Sequence, residues 1–310
     1  MDVFSVSDYV LAHDLALVNG RVHSVFGSSF NIMLGEQLVH IGSTAQPQSC
    51  IGARITPEEM SGLLAVVDAG DRVHCKDGVL RIYARGGVSQ INLKGGEVRH
   101  MGVPTQGRFP EGADILLLAG MEKLDLTERT GLVWPNRSAE AVSALTRFSM
   151  ACLREAGSWN AKRAATAPAV SQGFEGSVRA MRGAVEYLLG RGLGLTPSGD
   201  DVLVGFGCGL RYLCGCVSGK QARIGAAACS SQYYEAVNAA RPGRTTAVSE
   251  AYLEAMCQGY ANEDQLKLLD ALVSNSSEQL DRALARALDC GHTSGADGLI
   301  GFGAAFGCLA

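Results

Sequence analysis

Residues 196–210, TPSGDDVLVGFGCGL, lie over residues 292–306, HTSGADGLIGFGAAF, without a gap at an offset of 96. Seven of the fifteen positions are identical: Ser198/Ser294, Gly199/Gly295, Asp201/Asp297, Leu203/Leu299, Gly205/Gly301, Phe206/Phe302 and Gly207/Gly303. Each copy reads as a helix start. Serine offers a capping hydroxyl, glycine lets a neighbour approach, and an aspartate in the first turn complements the positive helix end. Three glycines inside one helix, Gly205, Gly207 and Gly209, cost about 2 to 3 kcal/mol relative to alanine, so close packing must compensate. The expectation is that the two copied helices pack on each other about a pseudo-two-fold axis, bringing both Ser-Gly turns to related places.

An open helix start presents unpaired N–H groups and a partial positive charge, which suits carboxylate or phosphate. Thr196, Ser198, Gly199, Asp200, Ser294 and Gly295 are therefore candidate substrate-binding residues, the alternative being plain caps. Asp200, Asp201 and Asp297 would repel an anion, which calls for a bridging cation such as magnesium, a hydrogen-bonding amide of the substrate, or another face of the turn. His292 stands just before the second turn as a candidate general acid or base, or as a structural histidine. Between the copies, Arg244 and Thr245 follow a glycine turn and are candidate clamps for an anionic group, or part of a solvated loop.

At 310 residues the chain has room for two domains, and 47% hydrophobic against 19% charged residues is a globular balance. A net charge of -4 without Lys or Arg runs argues against nucleic acid. The most apolar stretch, 202–217, carries Arg211 and is shorter than a bilayer span, so it is read as a buried helix and no membrane partner is expected. The N-terminus lacks a secretory pattern, so a cytoplasmic chain with its ten cysteines reduced is expected. Cys208, Cys214 and Cys216 lack zinc-ligand spacing and are read as core.

The first third shows three hairpin patterns: 30–34 with 38–41, 73–75 with 79–83, and 91–93 with 98–101, the last turning at Gly95-Gly96. Thr56-Pro57-Glu58-Glu59 is a capping box opening a helix to about Val66. After Trp134-Pro135-Asn136 the pattern turns helical, and the pairs Asn262/Gln265 and Asn275/Glu278 read as further helix starts. Residues 156–176 read as an irregular connection. The expected class is α+β, a β-rich N-terminal domain over 1–136 followed by a mainly α-helical domain over 137–310 that carries the repeat.

Gly192-Leu193-Gly194-Leu195-Thr196-Pro197-Ser198-Gly199-Asp200-Asp201, together with Gly291-His292-Thr293-Ser294-Gly295-Ala296-Asp297, resembles the AllH subunit family of oxamate carbamoyltransferase. Val22-His23-Ser24-Val25-Phe26, leading into Asn31 and Leu38-Val39, is similar to that family's opening, and Arg244-Thr245-Thr246 to its middle. The resemblance implies one subunit of a multi-protein carbamoyltransferase acting with other subunits in allantoin degradation, a branch of purine catabolism. Its small anionic substrates would be oxalurate and phosphate, giving oxamate and carbamoyl phosphate. The helix starts and Arg244 would hold the anionic end, Asp201 or Asp297 would accept ureido hydrogen bonds, and His292 would donate a proton. Two other readings stay open: a non-catalytic assembly or regulatory subunit, and metal-dependent hydrolysis through Asp200, Asp201, Asp297 and His292.

Overall fold

In the computed structural model, which describes residues 1–13, 15–107, 109–156 and 173–308, the β-rich and helical parts follow one another along the chain as the pattern predicts. Most of the connection expected over 156–176 lies outside the described residues. Contacts divide the chain into one unit of 1–102 with 260–263, and a second of 103–259 with 264–310.

The first unit holds β1 (Ser5–Ser7), α1 (Asp8–Leu11), β2 (Leu17–Val25), β3 (Ser29–Leu34), β4 (Gln37–Ser43), β5 (Gly52–Ile55), α2 (Pro57–Leu64), β6 (Arg72–Lys76), β7 (Val79–Ala84), β8 (Gly87–Asn92) and β9 (Glu97–Arg99). The strands form one sheet in the order β8-β7-β6-β2-β3-β4-β5-β1-β9. Strand alternation sends Phe30, Ile32, Val39 and Ile41 to the same core face. The first two expected hairpins are present as β3–β4 and β6–β7. α2 begins with the expected capping box, Thr56 and Glu59 each bonding the other's backbone N–H.

The third expected hairpin does not form. β8 pairs with β7, and β9 runs parallel to β1. The two glycines taken for a hairpin turn serve a crossing: a Cβ at Gly95 would lie 2.3 Å from Asp2 Oδ1, and one at Gly96 2.1 Å from the Val3 carbonyl oxygen. They admit the N-terminal segment, whose Val3 N–H donates to the Asn92 carbonyl and carries the chain across instead of back.

The second unit holds α3 (Ala113–Met121), α4 (Leu126–Arg129), α5 (Asn136–Glu155), α6 (Gly173–Leu188), α7 (Ser198–Gly215), α8 (Lys220–Ala240), α9 (Ala247–Cys257), α11 (Ser277–Leu288) and α12 (Ser294–Phe306). The intervening α10 (Glu263–Ser274) starts on the last residue of the first unit's 260–263 segment. At α11 the cap is Ser276, whose side chain accepts from Gln279 N–H, and not Asn275 as the spacing suggests. Asn275 sits in the left-handed region at φ 52 and only turns the chain.

α7, the apolar stretch of the sequence, is buried almost throughout. Its Arg211 is accommodated by the face of the Tyr234 ring, 4.6 Å from the centroid, and by the Cys257 carbonyl at 2.9 Å. α8 holds α7 through Tyr233 and Tyr234, whose hydroxyls donate to the carbonyls of Leu203 at 2.6 Å and Gly207 at 2.9 Å. Five of the ten cysteines are buried: Cys50, Cys75, Cys152, Cys208 and Cys214. No described helix is long and apolar enough to cross a membrane.

Candidate functional site

The repeated helices α7 and α12 lie against each other at van der Waals distance of their backbones. A Cβ added at Gly205 would lie 2.0 Å from the Gly298 carbonyl oxygen, and one at Gly301 1.8 Å from that of Val202. Positions 205 and 301, and 202 and 298, are each separated by the repeat offset, so the two contacts exchange roles between copies. This proximity is what the helix glycines supply.

The same contact brings the two helix starts together. Thr196 Oγ1 lies 3.1 Å from Ser294 Oγ, and Ser198 Oγ 3.4 Å from Thr293 Oγ1. The expected serine caps are not present. Pro197 and Thr293 occupy the N-cap positions without a side-chain cap bond, and Ser198 and Ser294 are already helical. Their hydroxyls are therefore free to reach across to the other copy, where Ser294 faces Asp201 and Ser198 faces Asp297.

Burial pushes the Asp201 carboxyl well above the ordinary carboxylate range; the Ser294 hydroxyl opposes this, and the charges of Asp297 and Asp200 add to it. Asp297 is also raised by burial, against bonds from Thr130, Ser198 and Thr293. Thr130 Oγ1 donates to Asp297 Oδ1 at 2.5 Å and Gly131 N–H to the same oxygen at 3.3 Å. The second oxygen of each carboxylate, Asp201 Oδ2 and Asp297 Oδ2, is buried without a hydrogen-bond partner. Orphaned buried acceptors are uncommon, and each costs about 1–3 kcal/mol, so a pair at one corner asks for donors from outside the chain.

Asp200 is placed differently. It takes Gly190 N–H on Oδ1 at 2.7 Å, and the hydroxyls of Thr245 and Ser249 on Oδ2, the latter at 2.7 Å. It braces the start of α7 against the preceding turn and α9. Thr245 is spent on that brace, and Thr246 bonds the Leu195 carbonyl while capping α9. Arg244 is exposed on the adjoining turn, with Nη2 donating to the Glu186 carbonyl at 3.0 Å. His292 is exposed one residue before Thr293.

The glycine N–H groups of both turns are engaged by the backbone. Gly199 donates to the Arg191 carbonyl at 2.8 Å and Gly295 to that of Cys290 at 2.9 Å. Among the described residues no group of three or more His, Cys, Asp or Glu side chains is placed to hold a metal ion.

Thr130, Gly131 and Thr293 join the corner without having been singled out from the sequence. Thr293 was within reach, since it lies opposite Pro197 in the repeat. Thr130 is 167 residues from Asp297, and nothing in Thr130-Gly131-Leu132 marks it. A Cβ at Gly131 would sit 2.2 Å from Ser198 Oγ, so only glycine lets this loop lie on the corner.

A model of the AllH family N-terminal domain matches residues 4–98, and one described as oxamate carbamoyltransferase subunit AllH matches residues 188–306. The chain belongs to the AllH family. The AllH match starts at the last residue of α6 and ends at the last of α12, so it takes in both helix starts and the Arg244 turn. The AllH N-terminal match covers the sheet through most of β9. Thr130 and Gly131 lie between the two matches. No solved structure matches the chain.

Proposed function

We propose that this AllH chain is the subunit that binds the carbamoyl-bearing substrate of an oxamate carbamoyltransferase, and that the Asp201/Asp297 corner accepts the ureido N–H groups of oxalurate. The observation that carries this is the pair of buried, unpartnered carboxylate oxygens where the two helix starts meet. A ureido group offers several N–H donors in one plane, which suits two neighbouring acceptors. Bound this way, the carbamoyl carbon is held in place for transfer, and positioning is a large part of the acceleration such a step needs. Arg244 supplies the positive charge for the carboxylate or phosphate end, and His292 at the rim gives a proton to the departing group. Asp200 and Thr245 act as braces of the corner.

Exposed apolar tips flank this corner: Leu193 is 93% exposed beside Gly192, and Val133 is 78% exposed two residues after Gly131. They suit closure by another subunit of the complex. A second reading, an assembly subunit without a substrate site, draws on the engagement of Gly199 and Gly295 N–H by the backbone.

Calorimetric titration of oxamate and carbamoyl phosphate, into the chain alone and with its partner subunits, separates the two. Saturable binding lost in Asp201→Asn and Asp297→Asn supports the substrate site. Binding that is absent in every combination supports the assembly role. Because ionising Asp201 opposes its burial, Asp201→Asn is expected to keep or raise the melting temperature while lowering turnover about 100-fold or more. His292→Ala should lower it by a similar factor; a loss under about tenfold removes His292 as the acid.

A further inference from the structure

A second polar constellation lies in the first unit, on the sheet face turned away from Phe30, Ile32, Val39 and Ile41. Ser24, Asn31 and His40 are register partners across three neighbouring strands, Ser24 opposite Asn31 and Asn31 opposite His40. The register of β2 against β3 shifts between Val22 and Ser24, so His23 is the extra residue of a β-bulge. A bulge redirects a side chain that strict alternation would send to the other face. Here it sets His23 Nδ1 3.2 Å from Ser24 Oγ.

The hydrogen bonds fix a direction. Asn31 Nδ2 donates to Ser24 Oγ at 3.0 Å, which turns Asn31 Oδ1 to His40 Nδ1 at 2.8 Å and makes that nitrogen the donor. Ser24 then has one lone pair engaged and its own proton left to give, and His23 Nδ1 can receive it in the tautomer that carries its proton on Nε2. Asn31 is buried, whereas His23, Ser24 and His40 are partly exposed, so the hydroxyl is reachable while its orienting amide is locked. An activated nucleophile needs a base within hydrogen-bond reach of its hydroxyl, as His23 is of Ser24, and here Asn31 fixes the hydroxyl itself.

The geometry points to Ser24 as a nucleophile toward carbonyl electrophiles, with His23 as its base and Asn31 and His40 as positioning residues. In the step, Ser24 Oγ bonds to the carbonyl carbon and the bond from that carbon to its leaving group breaks. The hydroxyl proton passes to His23 Nδ1 and from there to the leaving group. Water returns the serine by the reverse proton path. The centre shares no residue with the Asp201/Asp297 corner, so it stands or falls independently of the reading given above.

The test treats the full chain with p-nitrophenyl acetate, follows the p-nitrophenolate burst, and locates the acetyl group by peptide mass after acid quench. The expected result is a burst approaching one equivalent with the acetyl on Ser24. Ser24→Ala should abolish it, and His23→Ala should slow it about 100-fold. Asn31→Asp, which replaces the donor by an acceptor, should lower the acylation rate constant about tenfold with the half-saturating ester concentration unchanged. The mass assignment on the unaltered chain needs no variant to fold. Acetyl found only on lysines, cysteines or the N-terminus, or a burst undiminished in a folded Ser24→Ala chain, overturns the proposal.

Discussion

His40 shows how one partly buried group writes a pH dependence into the sheet. Burial lowers its imidazole from an ordinary 6.5 to about 4, because the charged form is kept from water. In the unfolded chain the ring takes its proton near 6.5, so between the two values the unfolded state binds more protons. Stability is therefore whole above about pH 6.5 and is lost as the pH falls toward 4, by up to about 3 kcal/mol. Urea denaturation at steps through that window should show the loss in the unaltered chain and a flatter profile in His40→Gln, which keeps a donor for Asn31 without a titrating ring.

At the scale of elements, the pairing of α7 with α12 rests on what the glycines omit. Gly205→Ala and Gly301→Ala drive a methyl group into the partner helix's backbone carbonyl, which cannot move without parting the helices. Each is expected to cost about 1–3 kcal/mol or more despite the better helix propensity of alanine. Gly207 faces the Met256 side chain, which has rotamers to yield, so Gly207→Ala should cost less. Gly183, inside α6, meets nothing within 4 Å, and Gly183→Ala should stabilise by about 0.5–1 kcal/mol. Thermal melts of the four variants check the order; equal costs at 205, 207 and 183 would remove the packing explanation.

The whole molecule adds a connection that no local pattern marks. The sheet unit is completed by residues 260–263, which return to it from far along the chain. Glu263 Oε2 accepts from Gln48 N–H at 2.7 Å and pairs with Arg54 at 3.3 Å, and Asn262 Oδ1 accepts from Cys50 N–H at 2.9 Å. Glu263→Ala leaves the Gln48 N–H without its acceptor and takes the carboxylate from Arg54, whose guanidinium keeps its bonds to Ser5 Oγ and the Gln46 carbonyl, at an expected cost of about 3 kcal/mol. A fragment ending at Gly102 lacks all these acceptors and should be cleaved faster by protease in the 44–54 region than the full chain. Equal rates would mean that the returning segment contributes nothing.

Much of this was legible from residues alone. The α+β order, two of three hairpins and the capping box at Thr56 follow from turn chemistry and side-chain periodicity, which act over a few residues, and the nesting of α7 on α12 was expected from the repeat and its helix glycines. The family was legible too, because Gly192–Asp201 and Gly291–Asp297 are short, specific strings. What tertiary structure decided was the partner of each polar atom. From sequence, Asp200, Asp201 and Asp297 were equivalent first-turn acids. Only packing shows Asp200 enclosed by Gly190, Thr245 and Ser249, and an oxygen of each of the other two left without a donor. The glycines at 95–96 looked like a hairpin turn until the N-terminal segment was seen crossing them. Hydrogen bonds are short and directional, so their assignment depends on positions set by contacts as distant in sequence as Thr130 and Asp297.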